Sequence, residues 1–391
     1  MKALVIEATA LHLGYLGCYG NDWVETPNLD QLASVSVVFD QHYADTLDAP
    51  TPSAWSGRLA LPAADLDVGV ACAPDLLSPA LAERKIAVHR IGASEPYGVA
   101  PAEGLERLGD CAADARQLLK KLKKPDDWLL WLTLPSLAPP WQVEEEALER
   151  YFAEEPVAEG EEPPTPWLEP PWDLLDSRND TARLRLQNTY AGVVSEADQE
   201  IGRLLEAVGD DVLIVFTAAR GLALGEHGVV GECRPWLHDE LIHLPLLMRL
   251  PDSAEAGRRG HALTQPVDLL PTLLAAFGAP LPVGLHGFNL LPLARGDADE
   301  VRPYACTGLR QGERVEYALR TPELSLILPM RQAIDDAPRP LQLYVKPDDR
   351  WEVNDVRARQ GETAEALEQT VRQAVAAFQQ PGGLVLPPLP E

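Results

Sequence analysis

The sequence predicts an α/β fold: a large doubly wound sheet of mixed strand direction, followed by a small α+β subdomain. Three observations carry this. Apolar runs of strand length alternate with amphipathic segments of helix length from Lys2 to Phe277. The first run, residues 2–8, is largely apolar, as a strand buried on both faces of a parallel sheet must be. After Leu293 the rhythm changes to short runs broken by turn residues, over 302–346, and closes with an amphipathic segment at Thr363 to Phe378. The division is therefore expected at residues 1–298 and 299–391.

Taken in order, the first strand is followed by Thr26-Pro27-Asn28, which starts a helix. Thr26 suits the N-cap and Pro27 the first helical position, and LDQLASV supplies an apolar face. Val37 to Phe39 forms a short strand. Val68 to Ala73, Ile86 to Ile91 and Trp128 to Leu134 are further strands, with helices at Ser78 to Arg84 and Cys111 to Lys124. Leu186 to Val208 is a long helix, succeeded by strands at Val212 to Phe216 and Pro245 to Arg249 and a helix at Val267 to Phe277. Between them, Glu154 to Pro171 is dense in proline and glutamate and favours extended, solvated backbone. Trp167 and Trp172 pack this excursion down or give it a recognition edge.

With 391 residues, 46% of them hydrophobic, the chain can bury a large core. The 33 Lys and Arg against 60 Asp and Glu give a formal charge of −27. That charge repels nucleic acid and anionic membrane surfaces, so neither is expected as a partner. MKALVIEATA reads as a buried strand rather than a secretory leader, and no run is long enough to span a membrane. The five cysteines are scattered and lack metal-ligand spacing, so reduced thiols and a cytoplasmic location are expected.

Several blocks carry a resemblance. LHLGYLGCYGNDWVETPNLDQLA is followed by FDQHY and then by PTPSAWSGR; YAGVVSEADQEIGRLL leads into LIVFTAARG; LGEHGVVGE, LHDELIHLPLLMRLP, QPVDLLPTLLAAFGAPLPVGLHGFNLLPL and LQLYVKPDDRWEVND complete the series. In this order they resemble the sulfatase family of the alkaline phosphatase superfamily nearly end to end. The resemblance implies that family's doubly wound mixed sheet and a pocket for sulfate esters.

The family hydrolyses esters with a formylglycine nucleophile made from Cys or Ser, and with calcium held by carboxylate and amide oxygens. An ungapped alignment puts the two metal-binding aspartates of the first strand on Thr9 and Ala10. The nucleophile falls on Pro50 and the arginine of the maturation motif on Ala54. Proline has no nucleophilic atom; Thr51, one residue on, is the substitute that a register shift would offer. The histidine after the strand at Trp128 to Leu134 becomes Ser136, the paired ligands of S-D-H-G become Ala219 and Arg220, and a lysine becomes Glu232. A guanidinium at Arg220 disfavours a dication, so no cofactor is expected, and Arg220 is read as pairing with Glu7 or Asp48 in the metal's place.

Other polar groups are weighed beside these. Glu226 and His227 of LGEHG read as scaffold, and His12 and His42 as satisfied or surface histidines. His238, Asp239 and His243 lack a convincing zinc geometry. No P-loop, dinucleotide fingerprint or G-x-S-x-G occurs. Arg178, Arg183 and Arg185 are the one local basic group noted, with a solvated helix face as the ordinary explanation. Three functions stay open: an inactive sulfatase-fold protein that binds a protein or small molecule, an active sulfate- or phosphate-ester hydrolase using Thr51, and a structural subunit that pairs with itself or a homologue.

Overall fold

The computed structural model describes residues 1–47, 53–59, 61–62, 74–92, 107–122, 126–152, 164–172, 174–176, 179–231, 237–334, 337–378 and 386–390. Among these, seven strands form the main sheet: β1 (Lys2–Ala8), β2 (Val37–Tyr43), β3 (Ala87–Gly92), β4 (Trp128–Thr133), β5 (Val212–Ala218), β8 (His243–Arg249) and β9 (Arg259–Thr264). Between β5 and β8 lies a small ribbon of β6 (Ala223–Leu224) and β7 (Val230–Gly231). The order across the main sheet is β3-β4-β1-β5-β8-β2-β9. Neighbours pair in parallel except β8, which runs against both β5 and β2.

The period of two along β1 divides its side chains between two apolar layers. Leu4, Ile6 and Ala8 join one core, and Ala3 and Val5 the other. Helices α1 (Pro27–Ser34), α4 (Leu108–Lys121) and α6 (Asp180–Leu205) pack on the first face. Helices α2 (Ser53–Ser56), α3 (Leu77–Ala82), α8 (Leu269–Ala276) and α9 (Leu291–Arg295) pack on the second. Burying a leucine or isoleucine fully contributes about 1.5–3 kcal/mol, and both layers are built mainly of such residues. Two further helices, α5 (Glu145–Phe152) and α7 (Asp239–Ile242), lie against α6 and at the start of β8.

The observed elements follow the expected order, with shifts that have physical causes. α6 starts six residues before Leu186, because Asn179 accepts the Ala182 amide at 3.0 Å and caps it there. Thr26 does precede α1, but its hydroxyl accepts from the Gly17 amide instead of capping. The carboxylate of Asp198 on α6 does that work, accepting from Asn28 and Leu29. The expected strand at Val68 to Ala73 lies outside the described residues, as does residue 154–163 of the excursion. Trp167 packs partly buried against the first core, whereas Trp172 is 41% exposed.

The C-terminal part is an antiparallel meander of β10 (Ala305–Gln311), β11 (Arg314–Arg320), β12 (Leu324–Arg331) and β13 (Gln342–Val345). Helix α10 (Gly361–Phe378) covers it, with Leu367, Val371, Ala374 and Phe378 set against Tyr317, Leu319 and Leu326.

Candidate functional site

Parallel pairing brings the C-terminal ends of β1, β4 and β5 to one edge, where open α/β sheets hold their ligands. Glu7 of β1 stands level with Thr133 of β4 and Thr217 of β5. Its buried carboxylate accepts from Trp131 Nε1 at 3.1 Å and Thr133 Oγ1 at 3.3 Å. The next residues of the three strands are those expected of the pocket. The Thr9 carbonyl accepts from the Leu137 amide at 2.9 Å, which fixes Ser136 beside the end of β1. The Ala219 amide donates to Ala8 at 2.8 Å, and the Arg220 carbonyl accepts from Leu11 at 3.1 Å.

Ala10 is buried with φ +60°, a left-handed conformation that costs an alanine roughly 1 kcal/mol. Its carbonyl is held by the Tyr190 hydroxyl at 2.7 Å, and that hydroxyl accepts the His12 amide at 2.9 Å. The turn is thus over-determined by its surroundings, which is how a strained residue persists. Ser136 is exposed, and its hydroxyl accepts from Ala138. Thr9, Ala10, Ser136, Ala219 and Arg220 therefore share one edge. Ala54 does not join them: its side chain is buried on α2 in the second apolar layer, beside Trp55. Pro50, Thr51, Glu232 and Asp48 lie outside the described residues.

A polar pair marks the end of β2 at the same edge. Asp45 is buried, accepts from the amides of Thr46 (2.8 Å) and Val267 (3.1 Å), and takes a hydrogen bond from the Ser53 hydroxyl. Burial pushes its carboxyl up to about 6, although those hydrogen bonds favour the ionised form. No sequence signal pointed to Asp45, because its partners lie on α2 and the turn after β9.

The histidines weighed in the sequence are each partnered within the fold. His12 accepts from Gly14 through Nδ1 and meets Glu226 at 3.1 Å through Nε2. His42 is buried against Thr264, and burial drives its ring down to about 3, so it stays neutral. His238, Asp239 and His243 do not converge on a metal: Asp239 pairs with Arg320 and Lys346, His238 with Glu352, and His243 with the Asp40 carbonyl. His227 stacks on His238 at 3.7 Å and bonds Glu240 at 2.6 Å. Arg320, Lys346 and Glu352 belong to the C-terminal part, so this buried network joins it to the main sheet. Arg183 pairs with Asp180 and Arg185 binds the Thr165 carbonyl, so these two are engaged within the fold.

The donor set at the strand ends does not fit a hard dication such as calcium. Thr9, Ala10, Ala219 and Arg220 offer one hydroxyl, two methyl groups and a cation, and the Glu7 carboxylate beside them already accepts from Trp131 and Thr133. Among the described residues no cluster of three or more His, Cys, Asp or Glu side chains could hold a metal. No helix among them is long and apolar enough to cross a membrane.

The sheet order and the C-terminal meander give a mixed α/β fold that solved structures share. A phosphonate monoester hydrolase of Agrobacterium radiobacter superposes with a TM-score of 0.71 at 18% identity, covering 97% of this chain and 95% of that one. A structure solved with its substrate D-glucosamine-2-N,6-O-disulfate gives 0.75 at 18% identity over 96% and 98%. The sulfatase family model matches residues 110–279, and that of the N-sulphoglucosamine sulphohydrolase C-terminal region matches 225–378. Human arylsulfatase A is 28% identical over 358 residues, which is 76% of this chain and 68% of the human protein. An N-acetylglucosamine-6-O-sulfatase of Bacteroides thetaiotaomicron is 34% identical over 113 residues, 28% of this chain and only 20% of that protein. The chain is thus similar to sulfatases over residues 110–378.

Proposed function

We propose that this sulfatase-like chain is catalytically inactive and keeps the pocket as a shape for binding or assembly. One observation supports the reading: the ends of β1 and β5 meet at one edge and bring together Thr9, Ala10, Ala219 and Arg220, the positions on which the resemblance puts the family's metal ligands, three aspartates and the histidine of S-D-H-G. Two unit charges about 4 Å apart at an effective dielectric of about 20 interact by about 4 kcal/mol, and a dication doubles that repulsion. Arg220 then takes the metal's place. Glu7, the buried acid at the same edge, and Asp48 are its candidate counter-charges. Cytoplasmic residence, and a role through a protein or small-molecule partner or through pairing with another copy, accompany this reading; the charge of −27 argues against polyanions as partners.

The test is a thermal-shift series on metal-stripped protein with EDTA, Ca²⁺, Mg²⁺, Mn²⁺ and Zn²⁺. A bound ion stabilises the fold by about 2.7 kcal/mol at roughly a hundred times its dissociation constant. No shift is expected for the natural chain. The variant carrying Thr9→Asp, Ala10→Asp, Ala219→Asp and Arg220→Asn together is expected to gain a calcium-dependent shift. A saturable shift in the natural chain, with ester turnover abolished by Thr51→Ala, would establish the active-hydrolase alternative instead.

A further inference from the structure

At the sheet edge opposite the strand ends just described, β8 finishes in Arg249. Its side chain is 9% exposed, and Nη2 donates to the carbonyls of Gly209 (2.6 Å) and Val212 (3.3 Å). Nε is buried without a hydrogen-bond partner. Asp210 and Asp211 act on the guanidinium only through their charge, and no carboxylate among the described residues forms an ion pair with it. A buried cation with only carbonyl partners is under-satisfied.

A cavity of about 340 Å³ opens beside Arg249, between α1 and the last turn of α6. This volume is at the lower end of the roughly 300–1,000 Å³ typical of small-molecule sites. Leu32, Val35 and Leu205 give the cavity an apolar wall, and Glu206 and Asp210 give it an acidic rim. The carbonyl end of α6, the negative pole of that helix, lies on the same side. An inorganic anion would satisfy Arg249 but face two carboxylates. A simple amine would satisfy the rim and leave the guanidinium unmatched. A zwitterion with an apolar side chain answers all three surfaces.

We propose that this cavity is a binding site for a free aliphatic α-amino acid. Its carboxylate meets Arg249, its ammonium meets Glu206 and Asp210, and its side chain lies on Leu32, Val35 and Leu205. The site is remote from the strand-end pocket and stands or falls independently of its activity.

Calorimetry on the whole chain with L-leucine tests this, with N-acetyl-L-leucine and isopentylamine as probes lacking one charge each. Leucine is expected to bind saturably, and each control at least about tenfold more weakly, because each leaves one charged surface unmatched. Glu206→Gln, at an exposed position, and Arg249→Gln are each expected to weaken leucine by about tenfold or more. Should Arg249→Gln fail to fold, Glu206→Gln and the two probes still decide. The proposal is overturned if leucine shows no saturable binding up to about 10 mM, where a ligand of Kd ~1 mM would be mostly bound. Equal binding of either single-charge probe would overturn it as well.

Discussion

Glu352 and His238, from the two parts of the chain, bond each other at 2.8 Å with side chains 0% and 1% exposed. Burial would raise the Glu352 carboxyl, but the Arg320 charge, the His238 hydrogen bond and Lys346 outweigh it and hold it well below the ordinary carboxylate range. Ser325 adds a hydrogen bond at 2.6 Å. A buried charge so fully partnered is costly to remove from one side only.

Glu352→Gln is therefore expected to destabilise the protein by about 3–5 kcal/mol, since it leaves Arg320 and Lys346 with Asp239 alone. The loss should fall on the junction first. Limited proteolysis would show the C-terminal meander released before the main sheet is cut, and uniform digestion of both would contradict this.

His227 sets an alkaline limit on the same junction. Burial pulls the ring down, but the Glu240 hydrogen bond and charge, with Glu352 behind them, hold it up at about 9. Folding thus favours the protonated ring, and the sign follows: the stabilisation is complete below about pH 6.5 and is lost as pH rises through about 9. Over that window it amounts to about 3 kcal/mol. Urea midpoints should fall with rising pH more steeply in the natural protein than in His227→Gln. Parallel profiles would refute the assignment.

Asp198 holds the start of α1 from a distance in sequence of 169 residues. Its carboxylate accepts from the Leu29 amide (2.7 Å), the Asn28 amide (3.1 Å) and the Asn28 side chain (2.7 Å). Asp198→Asn puts an amide donor among donors at a buried position, and a loss of about 2–3 kcal/mol is expected in chemical denaturation. A change below about 0.5 kcal/mol would show that Thr26 suffices as the cap.

These contacts mark the limit of what the sequence reveals. The strands at residues 2–8 and Val212 to Phe216, and the long helix at Leu186 to Val208, were legible because periodicity is local. The gathering of Thr9, Ala10, Ala219 and Arg220 was legible through the resemblance, and the β1–β5 register supplies its physical basis. The capping role of Asp198 was hidden, since Thr26 satisfies every local rule and the competing hydroxyl bond to Gly17 is a tertiary event. Likewise Asp239, Arg320, Lys346 and Glu352 sit far apart in the chain, and no spacing announces that they share one buried cluster. The reversed direction of β8 was equally silent, because an apolar run reads the same from either end.

That reversed strand has a consequence for synthesis. β1 and β2 follow each other in the chain, yet β5 and β8 stand between them in the sheet. After Tyr43 leaves the ribosome, β2 has no partner on either side until β8 and β9 are made, about 200 residues later. At roughly 5–20 residues per second, that leaves a bare apolar strand for about 10–40 s. Nascent chains of this protein should depend on a holdase through that interval, and those that stall before Arg249 should be the ones that aggregate.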